Sequence, residues 1–201
     1  MKKDGQPARC PDGSGAESPC QIPRLSRRSP KVMRSYKLED IPFGTRAIFD
    51  SNILVYWIMD HPRFADTCEM AVQNVEDRKI QGVIPAVVLN ELLHRLMIAE
   101  AVELGLVSSP QDAVTRIKKK PEIISRLSIA WEVYTELKNI PFEMPDDAKD
   151  HTDLTYNFSK DLNLMAKDAA ITAFAQSRNI EHIITNDRDF ERVPFLTCWK
   201  P

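Results

Sequence analysis

Four carboxylates in this 201-residue chain stand where an acid is costly. Asp50 ends the apolar run Ala47, Ile48, Phe49, and Ile183, Ile184 and Thr185 lead to Asp187. Glu91 lies in "PAVVLNELLHRLMIAEAVELG", on the edge of an apolar stripe, with Val87 and Val88 a turn before it. Asp168 has Leu164, Met165, Ile171 and Thr172 as its helical neighbours three and four residues away. Burying a lone charge costs several kcal/mol, and none of the four has an obvious basic partner in the sequence. Taken singly, Asp50 and Asp187 read as helix caps, Glu91 as a solvated helix acid, and Asp168 as half of a buried ion pair with an arginine. Taken together, four crowded carboxylates raise one another's pKa, and divalent cations relieve the repulsion. Oxygen donors select hard ions such as Mg²⁺ or Mn²⁺. Two such ions roughly 3.5–4 Å apart suit in-line hydrolysis of a phosphodiester.

The elements that must position these acids follow from the hydrophobic pattern. "RAIFD" reads as a short strand buried on both faces, "GVI" as a second short strand, "EHIIT" as another, "NIPFEM" as a weak strand and "FLTCW" as a last one. "NILVYWIMD" leads into a helix. The stretch "HPRFADTCEMAVQNVEDRKI" reads as another, with Pro62 in its first turn and Ala65, Cys68, Ala71, Val72 and Val75 on one stripe. In the long helix that carries Glu91, Leu89, Leu92, Leu93, Leu96 and Met97 line one side and Gly105 marks the stop. Residues 110–139 are helical with a break at "KKKP", and "DLTYNFSKDLNLMAKDAAITAFAQSRN" holds one or two helices. Strands alternating with helices predict an α/β fold with a mostly parallel sheet covered on both faces. In such sheets ligands bind beyond the carboxyl ends of the strands, where Asp50 and Asp187 stand.

Composition narrows the function classes. Net charge is −2, but residues 1–40 hold nine Lys/Arg against five Asp/Glu, so the remainder is acidic. An acidic body argues against a broad electrostatic grip on nucleic acid, though not against a small metal-holding site. Residues 1–40 are rich in proline and glycine and sparse in large apolar side chains, which predicts a disordered N-terminal extension before a domain at 41–201. Cys10, Cys20, Cys68 and Cys198 fit no zinc spacing. No apolar segment follows "MKKDG" as a secretory signal would, and none reaches the ~18 residues of a membrane span. A reduced, cytoplasmic setting is the expectation. No GxGxxG, P-loop or GxSxG is present.

The segments "IFDSNILVYW", "LNELLHRL", "KDAAITAFA" and "IITNDRDFERV" occur in that order. They resemble the PIN-domain nucleases, most closely the VapC-like PIN proteins of prokaryotes, over about residues 45–200. The resemblance implies a three-layer α/β/α fold with a mostly parallel central sheet. It also implies a Mg²⁺- or Mn²⁺-dependent ribonuclease that cuts single-stranded or loop RNA, leaving a 5′-phosphate and a 3′-hydroxyl. The family's catalytic, metal-holding quartet maps onto Asp50, Glu91, Asp168 and Asp187. Asn52 and Thr185 match supporting polar positions, and Asp189 an auxiliary acid. Many members are homodimers, and the toxins among them are silenced by an antitoxin that enters the groove. The N-terminal extension and the added helical length around 99–135 depart from a compact toxin.

Other features carry less. His94, three residues after Glu91, reads as a surface or packing histidine. Asp146, Asp147, Asp150 and Asp153 read as loop and capping acids. Lys118 to Lys120 read as a solvated face which, with Arg63, Arg188 and Arg192, could rim an RNA groove. Trp57, Trp131 and Trp199 read as core or interface residues. Two readings compete with the ribonuclease. One is a non-catalytic PIN-like module that binds RNA or a partner protein; the other is a structure-specific DNA nuclease.

Overall fold

The computed structural model describes residues 35–145 and 151–201. Five strands form one all-parallel sheet: β1 (Ser35–Lys37), β2 (Arg46–Phe49), β3 (Gln81–Val83), β4 (His182–Ile184) and β5 (Thr197–Lys200), in the order β1-β5-β4-β2-β3. Seven helices accompany it: α1 (Ser51–Ile58), α2 (Ala65–Glu76), α3 (Ala86–Glu103), α4 (Pro110–Lys119), α5 (Ile129–Leu137), α6 (Thr152–Leu162) and α7 (Ala166–Ser177). Ala47, Ile48, Phe49, Ile183 and Ile184 have no exposed surface, so successive side chains on both sides of β2 and β4 are covered. That is the signature of a parallel sheet between two helical layers, and the three-layer α/β/α expectation holds.

The register fixes where the site lies. Ala47 pairs with His182, Ile48 with Ile183 and Phe49 with Ile184, so β2 and β4 end side by side. The chain runs from β2 to β3 on one flank and later enters β4 on the other. The crevice between β2 and β4 is therefore the switch point of the sheet, the place where open α/β sheets take ligands. The Asp50 amide donates to the Ile184 carbonyl at 3.0 Å and locks the two ends together.

Several local expectations are corrected. The ordered body begins before residue 41. Ser35, Tyr36 and Lys37 pair with Cys198, Trp199 and Lys200, Tyr36 lies 5.2 Å from the Trp199 ring, and Leu38 is buried behind them. The remainder of the extension expected at 1–40, residues 1–34, lies outside the described residues, as do Asp146, Asp147 and Asp150. Asp153 is an exposed acid in the first turn of α6. Pro62 precedes α2 rather than opening it. His61 closes the intervening turn by accepting from the Phe64 and Ala65 amides, and its ring stacks against Phe64. "NIPFEM" forms only a single bridge, Val83 to Glu143. Pro141 and Pro145 cannot donate to a ladder, and Phe142 instead packs on Gly82, where an added Cβ would come within 2.5 Å of its ring.

The long helix is bounded as expected. It stops at Gly105, whose φ of +64° suits glycine. The helical length at 99–135 folds over a small second core of Ala101, Val107, Ala113, Ile123 and Leu127, separate from the main one. Glu100, an acid the sequence did not single out, is buried there and accepts from the Ser128 and Ile129 amides at 2.7 and 3.0 Å, capping α5. Among the described residues, no helix is long and apolar enough to cross a membrane.

Candidate active site

Asp50 is the fixed point of the site. It is 1% exposed and is the N-cap of α1, so the capping reading and the site reading both hold for it. Its Oδ1 accepts from the Ser51 amide at 2.7 Å, and its Oδ2 from Asn52 Nδ2 at 2.6 Å and Thr185 Oγ1 at 2.7 Å. Burial nonetheless dominates and raises its pKa, against the hydrogen bond from Thr185 and the pull of Lys167, while the nearby Glu91 charge raises it further.

Thr185 is the joint between strands. Fully buried just past β4, it donates to Asp50 and accepts from the Asp187 amide at 3.0 Å and from Asn52 Nδ2 at 3.2 Å. Asn52 answers by accepting from the Asn186 amide at 3.2 Å. Asp187 is thereby set at the mouth of the crevice, where its Oδ1 also accepts from the Asp189 amide at 2.8 Å. Asp189 itself is turned outward into an ion pair with Arg192 at 2.8 Å. Asn52 and Thr185 are thus within the network, and Asp189 sits at its edge.

The other two acids arrive on helices. Ser51 Oγ donates to Glu91 Oε2 at 2.8 Å while standing 3.3 Å from Asp50 Oδ1, linking α3 to α1. Asp168, in the first turn of α7, is 5% exposed, and its Oδ1 is a buried atom with no hydrogen-bond partner. Burial pushes its pKa up to about 6, opposed by Lys167 and reinforced by Asp187, Asp50 and Asp189. All four predicted acids therefore belong to one electrostatic and hydrogen-bonded cluster.

One expectation fails. The cluster does have a basic partner, and it is a lysine. Lys167 Nζ lies 2.6 Å from Glu91 Oε2 and 3.8 Å from Asp168 Oδ1. Burial alone would lower the lysine's pKa, but Glu91, Asp50 and Asp168 outweigh it and raise it. Burial likewise opposes ionisation of Glu91, yet Lys167, Ser51 and Arg95 together hold its carboxyl below the usual range. The ion-pair reading of Asp168 is met only in part, and by a lysine rather than an arginine: Lys167 satisfies Glu91 and only approaches Asp168.

The cluster opens into a hollow of about 590 Å³ lined by Asn52, Tyr56, Glu91, Arg95, Lys167, Asn186, Asp187 and Arg188. Ser51, Lys167, Arg95, Tyr56 and Asn186 are the residues that sequence reasoning missed. His94 and Lys118 to Lys120 are exposed and do not line this hollow, while Trp199 is buried with its indole donating to His182 Nδ1. The donor chemistry suits a hard divalent ion. The groups are carboxylate, hydroxyl and amide oxygens, and one buried carboxylate oxygen lacks any partner. As they stand, however, no three acidic, histidine or cysteine side chains among the described residues converge closely enough to hold a metal.

Fold and site together define an open α/β domain with an acidic crevice at its switch point. A model of the PIN-domain family matches residues 47–196, and the chain belongs to that family. Ribonuclease VapC2 of Methanocaldococcus jannaschii is 28% identical over 164 residues, covering 82% of this chain and 97% of that relative. Among solved structures, VapBC2 from Rickettsia felis bound to a DNA fragment from their promoter is similar with a TM-score of 0.46 and 17% identity, over 78% of this chain and 99% of that one. A toxin–antitoxin complex from Klebsiella pneumoniae is similar with a TM-score of 0.46 and 19% identity, over 75% and 94%.

Proposed function

We propose that this chain is an endoribonuclease that hydrolyses RNA phosphodiester bonds with Mg²⁺ or Mn²⁺ held by Asp50, Glu91, Asp168 and Asp187. The observation that carries the reading is Asp168 Oδ1, a buried carboxylate oxygen without a hydrogen bond, in the field of Asp187 and Asp50 and next in the chain to Lys167, which lines a hollow with Glu91 and Asp187. A scaffold has no use for such an atom, because an unsatisfied buried polar group costs about 1–3 kcal/mol. The kinship with a relative named a ribonuclease supports the choice of reaction.

Bound there, a divalent ion would make the attacking water more acidic and offset charge on the phosphorus oxygens. The chain's own residues do the rest. Asn52, Ser51 and Thr185 hold the Asp50 carboxylate in one orientation. Water oxygen bonds to phosphorus as the bond to the 3′ oxygen breaks, leaving a 5′-phosphate and, once that oxygen is protonated, a 3′-hydroxyl. Arg95 and Arg188, which line the hollow, supply the positive charge that the acidic body otherwise lacks for a phosphate backbone. A homodimer, a cytoplasmic setting, and silencing by an antitoxin that fills the hollow belong to the same reading.

The test is cleavage of single-stranded RNA by purified protein in Mg²⁺ or Mn²⁺ against EDTA, with single-stranded DNA alongside. Cleavage of RNA that needs metal and is lost in Asp50→Asn and Asp168→Asn is expected. RNA binding without cleavage would favour the non-catalytic module, and cleavage of DNA alone the DNA nuclease. Equal cleavage by wild type and both variants would refute the site.

A further inference from the structure

We propose that Lys167 is a tethered counter-cation: its ammonium occupies the acidic hollow in the metal-free protein and leaves Glu91 when a divalent ion binds. The inference rests on the reading of the four acids as metal ligands and concerns how that site is kept when no ion is bound.

Three observations converge on it. Lys167 Nζ reaches acids from two different helices, at 2.6 Å from Glu91 and 3.8 Å from Asp168, so it sits between would-be ligands rather than beside one. The Glu91 oxygen it holds, Oε2, is the same one that Ser51 Oγ bonds, so that oxygen is already engaged twice. The ammonium also stops short of bonding Asp168 Oδ1, which stays unsatisfied. A monovalent ammonium on a flexible stem thus neutralises the cluster without completing it. Among the described residues the acids do not close into a metal-ready set.

Lys167 also has room to move. Its side chain is 36% exposed and lines the open hollow, so rotating its four-carbon stem returns the ammonium to water. Arg95 reinforces Lys167 from farther off: its guanidinium donates to Ser51 Oγ at 3.5 Å and its charge helps hold the Glu91 carboxyl below the usual range. An ion entering the hollow competes with a charge that is covalently part of the protein, and the metal-free acids never face one another uncompensated.

The experiment is a Mn²⁺ titration of the full chain, following the free-ion signal by electron paramagnetic resonance, with thermal denaturation in EDTA and in Mn²⁺. Lys167→Met and Lys167→Gln should bind Mn²⁺ more tightly than wild type by about ten-fold or more, because a competing unit charge within about 4 Å is gone. Both should melt at lower temperature in EDTA and gain more from Mn²⁺. Lys167→Arg, which keeps the charge, should retain weak binding. The glutamine variant preserves a hydrogen-bond donor toward Glu91, so its tightening separates charge from packing. If methionine cannot fold without metal, the glutamine variant decides. Unchanged or weaker Mn²⁺ binding in the charge-removed variants, with wild type binding Mn²⁺ and cleaving RNA, overturns the counter-cation alone. Absence of both binding and cleavage in wild type overturns it together with the nuclease reading.

Discussion

Asp168→Asn should stabilise the metal-free protein while abolishing its activity. The Asp168 carboxyl titrates at about 6 in the fold, against a usual value of 3.8, because burial outweighs the Lys167 ammonium. Between those two pH values the native state holds more protons than the unfolded chain, so stability falls as pH rises through that window. The penalty is absent below 3.8, where both states are protonated, and fully present above about 6. At about 1.4 kcal/mol per pKa unit, it reaches about 3 kcal/mol at neutral pH. Asparagine is neutral at every pH and nearly isosteric, but its amide still needs partners, so a net gain of about 2 kcal/mol is expected. For a chain of this size that raises Tm by about 4–8 °C. Denaturant melts of wild type and variant in EDTA at pH 4 and pH 8 measure it, and the difference between the two proteins cancels the titration of groups that do not interact with Asp168. The gain should be large at pH 8 and near zero at pH 4. A variant less stable at pH 8, or equally shifted at both pH values, would show that Asp168 is not a charge buried at a loss.

Thr185→Val removes one of the Asp50 donors and leaves the Asp187 amide without its acceptor. It should cost about 1–3 kcal/mol in urea denaturation and weaken Mn²⁺ binding together with it; full-strength binding would detach Thr185 from the site. Glu100→Gln turns a carboxylate that accepts two amides at the start of α5 into a group with only one acceptor oxygen. It should lose about 1–3 kcal/mol of stability with Mn²⁺ affinity unchanged, and a change in affinity would mean that the α4–α5 region is coupled to the crevice.

How legible all this was in the sequence depended on the kind of signal. β2 and β4 were plain because both faces are buried, and short continuous apolar runs such as Ala47, Ile48, Phe49, too short for a helix, read as strands. Asp50, Glu91, Asp168 and Asp187 were legible because each breaks an apolar pattern at a strand end or on a packed helix. β1 was not: its three residues are exposed, and what places them, backbone pairing with β5 and the Tyr36 ring against Trp199, lies far away in the sequence. "NIPFEM" misled in the other direction, since its apolar residues are buried by Phe142 on Gly82 rather than by a ladder. Lys167 was hidden by geometry. Adjacent residues on a helix do not face each other, so its place beside Asp168 in the chain says nothing about a partner. The group it bonds, Glu91, comes from a different helix.

The hollow tolerates its acids for a reason that reaches beyond Lys167. Asp50 caps α1, Asp168 lies in the first turn of α7, and Glu91 lies in the N-terminal half of α3. Helix N-termini carry partial positive charge and unpaired amides, and an acid there gains about 0.3–1 kcal/mol, more when partly buried. Two of the acids sit where a helix start offsets part of their desolvation. The parallel sheet makes that possible, because in an alternating α/β chain the helix after β2 begins at the same edge where β4 ends. The offset is partial, as the raised pKa values of Asp50 and Asp168 show. The remaining repulsion is what a cation can relieve, whether an ammonium supplied by the chain or a divalent ion from solution. An acid-to-amide change at Asp168, whose Oδ1 has no hydrogen bond to lose, therefore trades ion binding for stability, whereas at Asp50 it would also break up the hydrogen bonds accepted from Ser51, Asn52 and Thr185.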